Sequence, residues 1–433
     1  MKNSSSFVFK YLSIFLAACI FVLAPLPQFG ADSDKIGLAA LIAIFILISF
    51  IDYFINTSWA EKSNFKIQKI DYAMLCLICA AFVSAISSYF FKDSLAGFIK
   101  YALYFFFYLA LVLRLKTPAD YNLIIGACLI GAIWPSIEAL NQYLFGAEAL
   151  ATWEDPNIHI SEQLNRVYST FGNPNLYGSY LLAIWPLFLW PVVSIIKNQN
   201  FKSGRAILVS LCFGFLILFF MYFVLQTGSR GAWLGLAAQI GISLIICFLL
   251  FRHKFAWLNF ALPALIGLVL LYLFSKPSFS ARLLTIFSSY EHSSNAFRLH
   301  VWSSCWHIFK DNILFGIGTG SKAFYDAYGI YMDAKYSALG AYSLILEIMV
   351  EMGLLGLLSF IFLLYSLSES AYSFLKNNWN AEKFYILICL IALSGLLISS
   401  LFDIVILRPQ IQTLTCLLIA LMRFYSLSNS KFK

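Results

Sequence analysis

The chain has 433 residues, of which 61% are hydrophobic and 12% are charged, and its formal net charge is +8. About half of a soluble domain is apolar and about a quarter is charged, so this composition excludes an ordinary water-soluble protein. The net positive charge does not indicate a nucleic-acid partner, because the basic residues form short clusters between apolar runs. These runs are continuous and not alternating, which predicts membrane-spanning helices.

Twelve apolar runs are long enough to cross a bilayer as helices, which takes about 20 residues each. The predicted spans are residues 9–26, 36–55, 71–91, 96–113, 121–145, 176–196, 206–226, 231–251, 255–274, 342–367, 384–406 and 410–427. The first run lacks a clear small-residue cleavage site, so we interpret it as a retained helix that directs insertion. The sequence shows no internal repeat, which predicts a single polytopic membrane domain over residues 1–433.

The distribution of basic residues predicts the orientation of the spans. Most of the 29 Lys and Arg residues lie in short segments on the side of the N-terminus, and few lie in the short loops opposite. The positive-inside rule therefore places both termini in the cytoplasm. Two large polar loops then lie outside, the first from Gly146 to Asn175. The second, between the ninth and tenth spans, is predicted to form an extracytoplasmic loop subdomain over residues 275–341.

Polar residues within the spans are the first indication of a functional site, because an ionisable group in hydrocarbon is costly. Most lie in the outward halves or at the outward ends of spans: Glu138, Asn141, Gln142, Gln226, Arg230, Glu347, Glu351, Asp403 and Arg408. Gln239, in contrast, lies near the middle of its span. The shared depth favours a site that faces the outer side over a path through the membrane. For any one residue, a helix-packing hydrogen bond or an ion pair is the alternative.

Residues 294–311 of the second loop are predicted to form an amphipathic helix. One face carries Phe297, Val301, Trp302, Cys305, Ile308 and Phe309, and the other carries His300, Ser303, Ser304, His307, Lys310 and Asp311. This pattern is typical of a helix on or near the membrane surface. Arg298 points from the middle of the apolar face, where a guanidinium indicates an anion such as phosphate. Snorkelling or an internal salt bridge is the alternative.

Two further motifs are interpreted as packing features. The glycines of residues 316–320 follow no strand and precede no Walker lysine, so they predict a turn for close helix packing and not a nucleotide loop. Cys76 and Cys79 form a CxxC inside a span without a second pair. We expect no metal site there and no cofactor.

Several short segments resemble the O-antigen ligase and polymerase superfamily of polytopic membrane proteins. They are Phe171–Asn175, Gly228–Trp233, Arg298–Trp302, Gly316–Gly318 and Glu351–Gly356. Their order and placement carry the resemblance, which predicts an O-antigen ligase-like core region over residues 165–360. The chain looks most like the branch labelled as bicarbonate transporters, through Ser294–Arg298, Ala338–Ser343, and Asp403 with Arg408.

The resemblance implies a metal-independent inverting glycosyltransferase, multi-pass in a bacterial inner (plasma) membrane. At the outer face it would move a glycan from a polyprenyl-diphosphate carrier to a hydroxyl of a lipid or protein acceptor. Arg230 and Arg298 match the arginines that hold the diphosphate in the family. Asn173, Asn175, Asp403 and Arg408 are predicted to support the site.

Tyr342 stands where the family has a histidine that helps to activate the acceptor. A tyrosine has a pKa of about 10 and is a poor general base at neutral pH. Three alternatives follow: Tyr342 only orients the acceptor, a nearby carboxylate such as Glu347 takes the proton, or this branch performs different chemistry. A membrane transporter for a solute or anion of the bicarbonate type is the alternative function.

Overall fold

The computed structural model describes residues 2–26, 35–56, 66–147, 166–197, 204–251, 294–332, 336–376 and 382–428. Within these ranges every regular element is a helix, and none is a β-strand. The prediction of an all-α integral membrane protein is therefore confirmed.

The helices are numbered in chain order. They are α1 (Lys2–Leu23), α2 (Lys35–Asn56), α3 (Lys69–Ser87), α4 (Phe91–Arg114), α5 (Pro118–Gly131), α6 (Ile133–Phe145), α7 (Pro174–Ile184), α8 (Leu189–Lys197), α9 (Gly204–Gln226), α10 (Arg230–Phe251), α11 (Ser294–Asp311), α12 (Ser321–Tyr331), α13 (Leu344–Lys376), α14 (Lys383–Ser399) and α15 (Pro409–Ser428). Short 3-10 helices cover Ser169–Phe171, Trp185–Phe188 and Val405–Leu407.

Among the described residues, 8 helical segments are long and apolar enough to cross a membrane. They are Gly37–Asn56, Lys69–Ser87, Phe91–Arg114, Pro118–Phe145, Pro174–Ile195, Ala206–Gln226, Leu344–Lys376 and Pro409–Leu427. Shorter apolar helices cover Val8–Leu23, Arg230–Ile246 and Lys383–Ser399. Together they coincide with every predicted span except the ninth, 255–274, which lies outside the described residues. The count of twelve, the side of the termini and the full extent of the large loop remain predictions.

The sixth predicted span is an interrupted helix, and a side chain of a neighbouring helix supplies the hydrogen bond that is missing at the interruption. Pro186 lies in the 3-10 turn between α7 and α8, and it has no N–H to donate to the carbonyl of Leu182. Gln239 of α10 supplies the missing donor, with its Nε2 2.8 Å from that carbonyl oxygen. The Gln239 Oε1 accepts from Trp185 Nε1 at 2.6 Å. Gln239 is thus a packing residue, in line with the helix-packing alternative.

Buried ion pairs join helices at the end of the bundle that is predicted to face the cytoplasm. Asp71 of α3 accepts from Arg423 Nε of α15 at 2.7 Å and from the Tyr108 hydroxyl of α4 at 2.6 Å. Arg114 of α4 pairs with Asp52 of α2. These charges are paired within the protein and hold helices together, so they do not indicate a ligand site.

Helix α11 has the predicted bounds and largely the predicted faces. Val301, Cys305 and Ile308 are fully buried against α12 and α13. Ser304 was predicted on the solvated face, and this was wrong, since it is buried and donates to the Tyr331 carbonyl at 3.0 Å. The reason is that α12 covers that side of the helix, which periodicity within α11 cannot reveal. The described part of the large loop therefore has a small hydrophobic core, to which Val350 of α13 also contributes.

The link between α11 and α12 packs against a kink in α13. Gly353 interrupts α13 with a φ of 62°, and a Cβ there would lie 2.7 Å from the Gly316 nitrogen. The freed backbone groups bond to the link, because Leu354 N donates to Ile313 O at 2.7 Å and Ile317 N donates to Val350 O at 2.9 Å. The prediction of a close-packing glycine turn is confirmed.

Glu351 belongs to the same packing arrangement. Its Oε1 accepts from Gly320 N and its Oε2 accepts from the Tyr101 hydroxyl, both at 2.7 Å. The side chain is only 3% exposed. Both carboxylate oxygens are occupied by protein donors, so Glu351 secures the glycine turn between α4 and α13.

Candidate functional site

Three helices of the bundle, α7, α10 and α13, begin at one end, which we call the outer end because the distribution of basic residues predicts that it faces outside. Leu344 N, at the start of α13, donates to Ser400 O at 2.8 Å, just after α14. A Cβ on Gly231, at the start of α10, would lie 3.1 Å from Ser399 O. The first turn of a helix carries partial positive charge and exposed N–H groups, so helix starts at one place favour an anion.

The large loop joins this end through a contact between α10 and α11. Arg230, the first residue of α10, donates from Nη1 to Asn295 Oδ1 at 2.5 Å. Arg298 follows Asn295 by three residues on α11, so the two side chains leave the same face of that helix. Both arginines are half-buried. The helix that carries the second predicted arginine is therefore bonded to the first.

Tyr342 lies in the loop before α13 and has a left-handed backbone conformation, with a φ of 49°. Such a φ is strained for a residue with a side chain and persists only where the surroundings impose it. The preceding residue, Ala341, is held on both sides. Its N–H donates to Glu347 Oε2 at 2.5 Å, and its carbonyl accepts from Trp302 Nε1 of α11 at 3.0 Å.

The Tyr342 ring faces the same surface of α11 that carries Arg298. Its centroid lies 5.4 Å from that of Phe297, with the rings edge to face. Burial raises the pKa of the Tyr342 phenol, and the nearby Asp403 carboxylate raises it further. The charges of Arg408 and Arg298 lower it without reversing the shift. The phenol of Tyr342 is therefore neutral at physiological pH, and the charges of Arg298, Arg408, Asp403 and Glu347 all act on it.

Asp403 lies in a loop and not in a helix, because α14 ends at Ser399, earlier than the predicted end of the eleventh span at residue 406. Its Oδ1 accepts from the backbone N–H of Ile404 at 2.7 Å. Its Oδ2 accepts from Asn175 Nδ2 of α7 at 3.0 Å. Two of the predicted supporting residues, Asn175 and Asp403, are thus in direct contact.

Asn173 has a structural role at the start of α7. Its side-chain oxygen accepts from the backbone N–H of Asn175 at 2.8 Å and of Leu176 at 3.3 Å, which is the geometry of an N-cap. The cap and Pro174 at the first helical position fix where α7 begins. Asn173 therefore positions Asn175 through the helix start.

Glu347 and Arg408 have different environments. Glu347 is 3% exposed, and its carboxylate lies under the loop that precedes Tyr342. Arg408 is exposed, and its carbonyl accepts from Gln412 N at 2.8 Å as α15 begins. Glu138 and Gln142 of α6 are bonded to each other. Gln142 serves packing, because its Oε1 accepts from Ser169 N at 2.8 Å.

Sequence reasoning missed Arg166, which contacts two parts of the outer end. Its Nε donates to the Thr227 carbonyl at 3.0 Å, in the turn before α10, and its Nη2 donates to Asn175 Oδ1 at 3.4 Å. Arg166 lies in a polar loop outside every predicted span, where a charged side chain is ordinary and does not by itself indicate a site. The available signal was its position five residues before the Phe171–Asn175 segment.

The arrangement suits a bound anion. It combines arginines, helix starts and a neutral phenol donor, with one half-buried carboxylate close by. Within the described ranges, no group of three or more His, Cys, Asp or Glu side chains is placed to hold a metal ion.

Comparison with known proteins is consistent with this arrangement. The O-Antigen ligase family matches residues 204–361, which contain Arg230, Arg298, Tyr342 and Glu347. A teichuronic acid biosynthesis protein of Bacillus subtilis (strain 168) is 28% identical over 228 residues, which is 50% of this chain. The chain spans 41% of the length of that relative. Neither similarity is to a transporter. The chain is thus a multi-pass membrane protein in which residues 204–361 are similar to the O-antigen ligase family.

Proposed function

We propose that the chain is a glycosyltransferase that works at the outer face of the membrane and moves a glycan from a polyprenyl-diphosphate carrier to an acceptor hydroxyl. The observation that carries the proposal is the hydrogen bond between Arg230 and Asn295, at 2.5 Å. It joins the start of α10 to the α11 face with Arg298. The ligase-family match, and a relative named for the biosynthesis of teichuronic acid, support the same class of reaction.

The two arginines would bind the diphosphate. As the bond between the sugar C1 and the diphosphate oxygen breaks, the electron pair leaves with the diphosphate and its negative charge grows. Fixed guanidinium groups and helix N–H groups aimed at this charge stabilise the transition state more than the ground state. An acceptor oxygen that attacks C1 from the opposite side gives inversion.

The acceptor hydroxyl must lose a proton as it attacks. Tyr342 stays protonated, so it would orient the acceptor by donating a hydrogen bond. Glu347 is buried beneath the loop and holds Ala341 N, which leaves it out of reach of a bound substrate. Asp403 is half-buried and lies near the Tyr342 phenol. Asp403, not Glu347, would therefore accept the proton.

A transporter would need a different kind of site. Transporters commonly bind their cargo near the midplane, where an interrupted helix lines a cavity. The break between α7 and α8 is such an interruption, but Gln239 and Trp185 fill it and are 0% and 3% exposed. No feature of this break supports a passage for a solute.

The proposal is tested with the full chain in lipid nanodiscs and labelled lipid-linked glycans from the source organism. We expect transfer by the wild type and a loss of about 100-fold in Arg230→Ala and Arg298→Ala. The matched control is Lys310→Ala, an exposed cation on α11 that stacks on Trp306. Transfer that is unaffected in Arg298→Ala, or uptake of labelled bicarbonate by proteoliposomes without any glycan transfer, contradicts the proposal.

A further inference from the structure

Arg166 lies outside the region that matches the ligase family, residues 204–361. It nevertheless connects the turn before α10 to the first turn of α7. Its Nε is bonded to the Thr227 carbonyl, in the turn that leads into Arg230. Its Nη2 is bonded to Asn175 Oδ1, in the first turn of α7. The adjacent backbone is tied to the same turn, since Val167 N donates to Gln226 O at 3.2 Å.

We propose that Arg166 is a positioning residue that orients the Asp403 carboxylate through the side-chain amide of Asn175. An arginine can only donate hydrogen bonds, and an asparagine amide has one accepting end and one donating end. When Arg166 holds the accepting end, the donating end must turn away from it. That end, Nδ2, lies 3.0 Å from Asp403 Oδ2. The inference rests on the proposed function, in which Asp403 accepts the proton.

The second carboxylate oxygen is held as well. Asp403 Oδ1 accepts from Ile404 N at 2.7 Å, so both oxygens have a donor from a different direction. A carboxylate that is hydrogen-bonded at both oxygens keeps one orientation. General-base catalysis requires such a fixed position relative to the acceptor hydroxyl. Without Arg166 the amide of Asn175 could rotate and present its oxygen to Asp403, which would repel the carboxylate.

The test compares Arg166→Gln, Asn175→Asp and the double variant with the wild type. In Asn175→Asp the side chain still accepts from Arg166 but has no N–H for Asp403. We expect each single variant to lower the turnover number about 10- to 100-fold, as for other residues that orient a reacting group. Binding of farnesyl diphosphate, the probe for the arginine site, should stay within about twofold of wild type.

Two further readouts separate positioning from a purely structural role. The double variant should be no slower than the slower single variant, because both changes remove the same interaction. The acidic limb of the pH–rate profile should move to higher pH in Asn175→Asp, since a second carboxylate then faces Asp403. The matched control is Lys322→Gln, whose side chain contacts Asp93 at the surface, and it should behave as the wild type.

Three results overturn the inference while the proposed function survives. They are wild-type turnover in Arg166→Gln, additive losses in the double variant, and a loss of farnesyl diphosphate binding equal to that of Arg298→Ala. If Arg166→Gln fails to fold in a thermal-melting assay, Arg166→Lys takes its place, because it keeps the charge but cannot donate in two directions from a fork. A wild-type chain that neither binds farnesyl diphosphate nor transfers glycan overturns the proposed function, and the inference with it.

Discussion

The Glu347 carboxylate accepts a hydrogen bond from the backbone N–H of Ala341 at 2.5 Å, directly before the strained residue Tyr342. Trp302 Nε1 donates a hydrogen bond to the carbonyl of Ala341. Glu347, which the sequence suggested as an alternative base, therefore fixes the conformation of the loop. Trp302 of α11 fixes the same residue, Ala341, from the other side.

This contact predicts that Glu347→Gln remains active. A glutamine can still accept from Ala341 N through its side-chain oxygen but cannot accept a proton in catalysis, so transfer should stay within about threefold of wild type. Glu347→Ala removes the acceptor and should lose at least about tenfold as the Tyr342 loop relaxes. Glycan transfer in nanodiscs measures both. An inactive, well-folded Glu347→Gln protein would make Glu347 the base and exclude our assignment of Asp403.

Tyr342 should act as a hydrogen-bond donor and not as a base. Its pKa is raised, so the folded protein favours the neutral phenol, and that form persists as the pH increases through the usual tyrosine range near about 10. Wild-type activity should therefore show no alkaline loss from Tyr342 below about pH 10. Tyr342→Phe removes the donor and should raise the KM for the acceptor.

The replacement Tyr342→His also tests whether residue 342 acts on the acceptor, because it introduces a group that can act as a base. Imidazole has a pKa of about 6.5 and introduces a group that is an acid below this pH and a base above it. The variant should show a new pH dependence near neutrality that the wild type lacks. Identical pH profiles in the two proteins would remove Tyr342 from the acceptor site.

Arg298 should not be replaceable by lysine. A guanidinium can donate two parallel hydrogen bonds to phosphate oxygens, whereas an ammonium is a point charge. Arg298→Lys should therefore bind farnesyl diphosphate at least about tenfold more weakly than the wild type, as measured by isothermal titration in detergent. The reverse substitution at an exposed position of the same helix, Lys310→Arg, is the charge-matched control and should leave binding unchanged. Equal affinity in Arg298→Lys would reduce the role of Arg298 to general electrostatics.

Gln239 should matter for stability and not for catalysis. Gln239→Leu leaves the Leu182 carbonyl and Trp185 Nε1 without their partner inside the bundle. We expect a loss of about 1–3 kcal/mol of stability, seen as a lower melting temperature, while the KM of the folded fraction stays unchanged. Asn141→Leu, at an exposed position on α6, is the comparison. A changed KM in Gln239→Leu would connect the α7 break to the substrate.

The sequence was informative wherever the signal was local. The period of apolar residues gave α11 its exact bounds, 294–311, because one face of an isolated helix must be buried. It also placed Arg298 apart from the other charges of that helix. The hydrophobic runs predicted the described spans for the same reason, with errors at their ends: α14 stops early, at Ser399, and α13 continues to Lys376, beyond the predicted end at residue 367.

The contacts that assemble the candidate site could not be predicted from the sequence pattern, since some of them join residues far apart in the chain. Nothing in the pattern pairs Arg230 with Asn295 or Arg166 with Asn175. Glu347 and Glu351 look alike in sequence, one turn apart on α13. Only their partners separate them, because one holds the Tyr342 loop and the other holds the glycine turn.

The backbone contacts between the α11–α12 link and the kink of α13 impose an order on how the protein is made. Ile313 leaves the ribosome before Leu354, to which its carbonyl is bonded. Helix α11 cannot take its final place until α13 has been synthesised and inserted, and Asp403 arrives later still. A chain interrupted before Gly353 would therefore carry both arginines but would lack the Leu354–Ile313 contact that fixes α11 against α13.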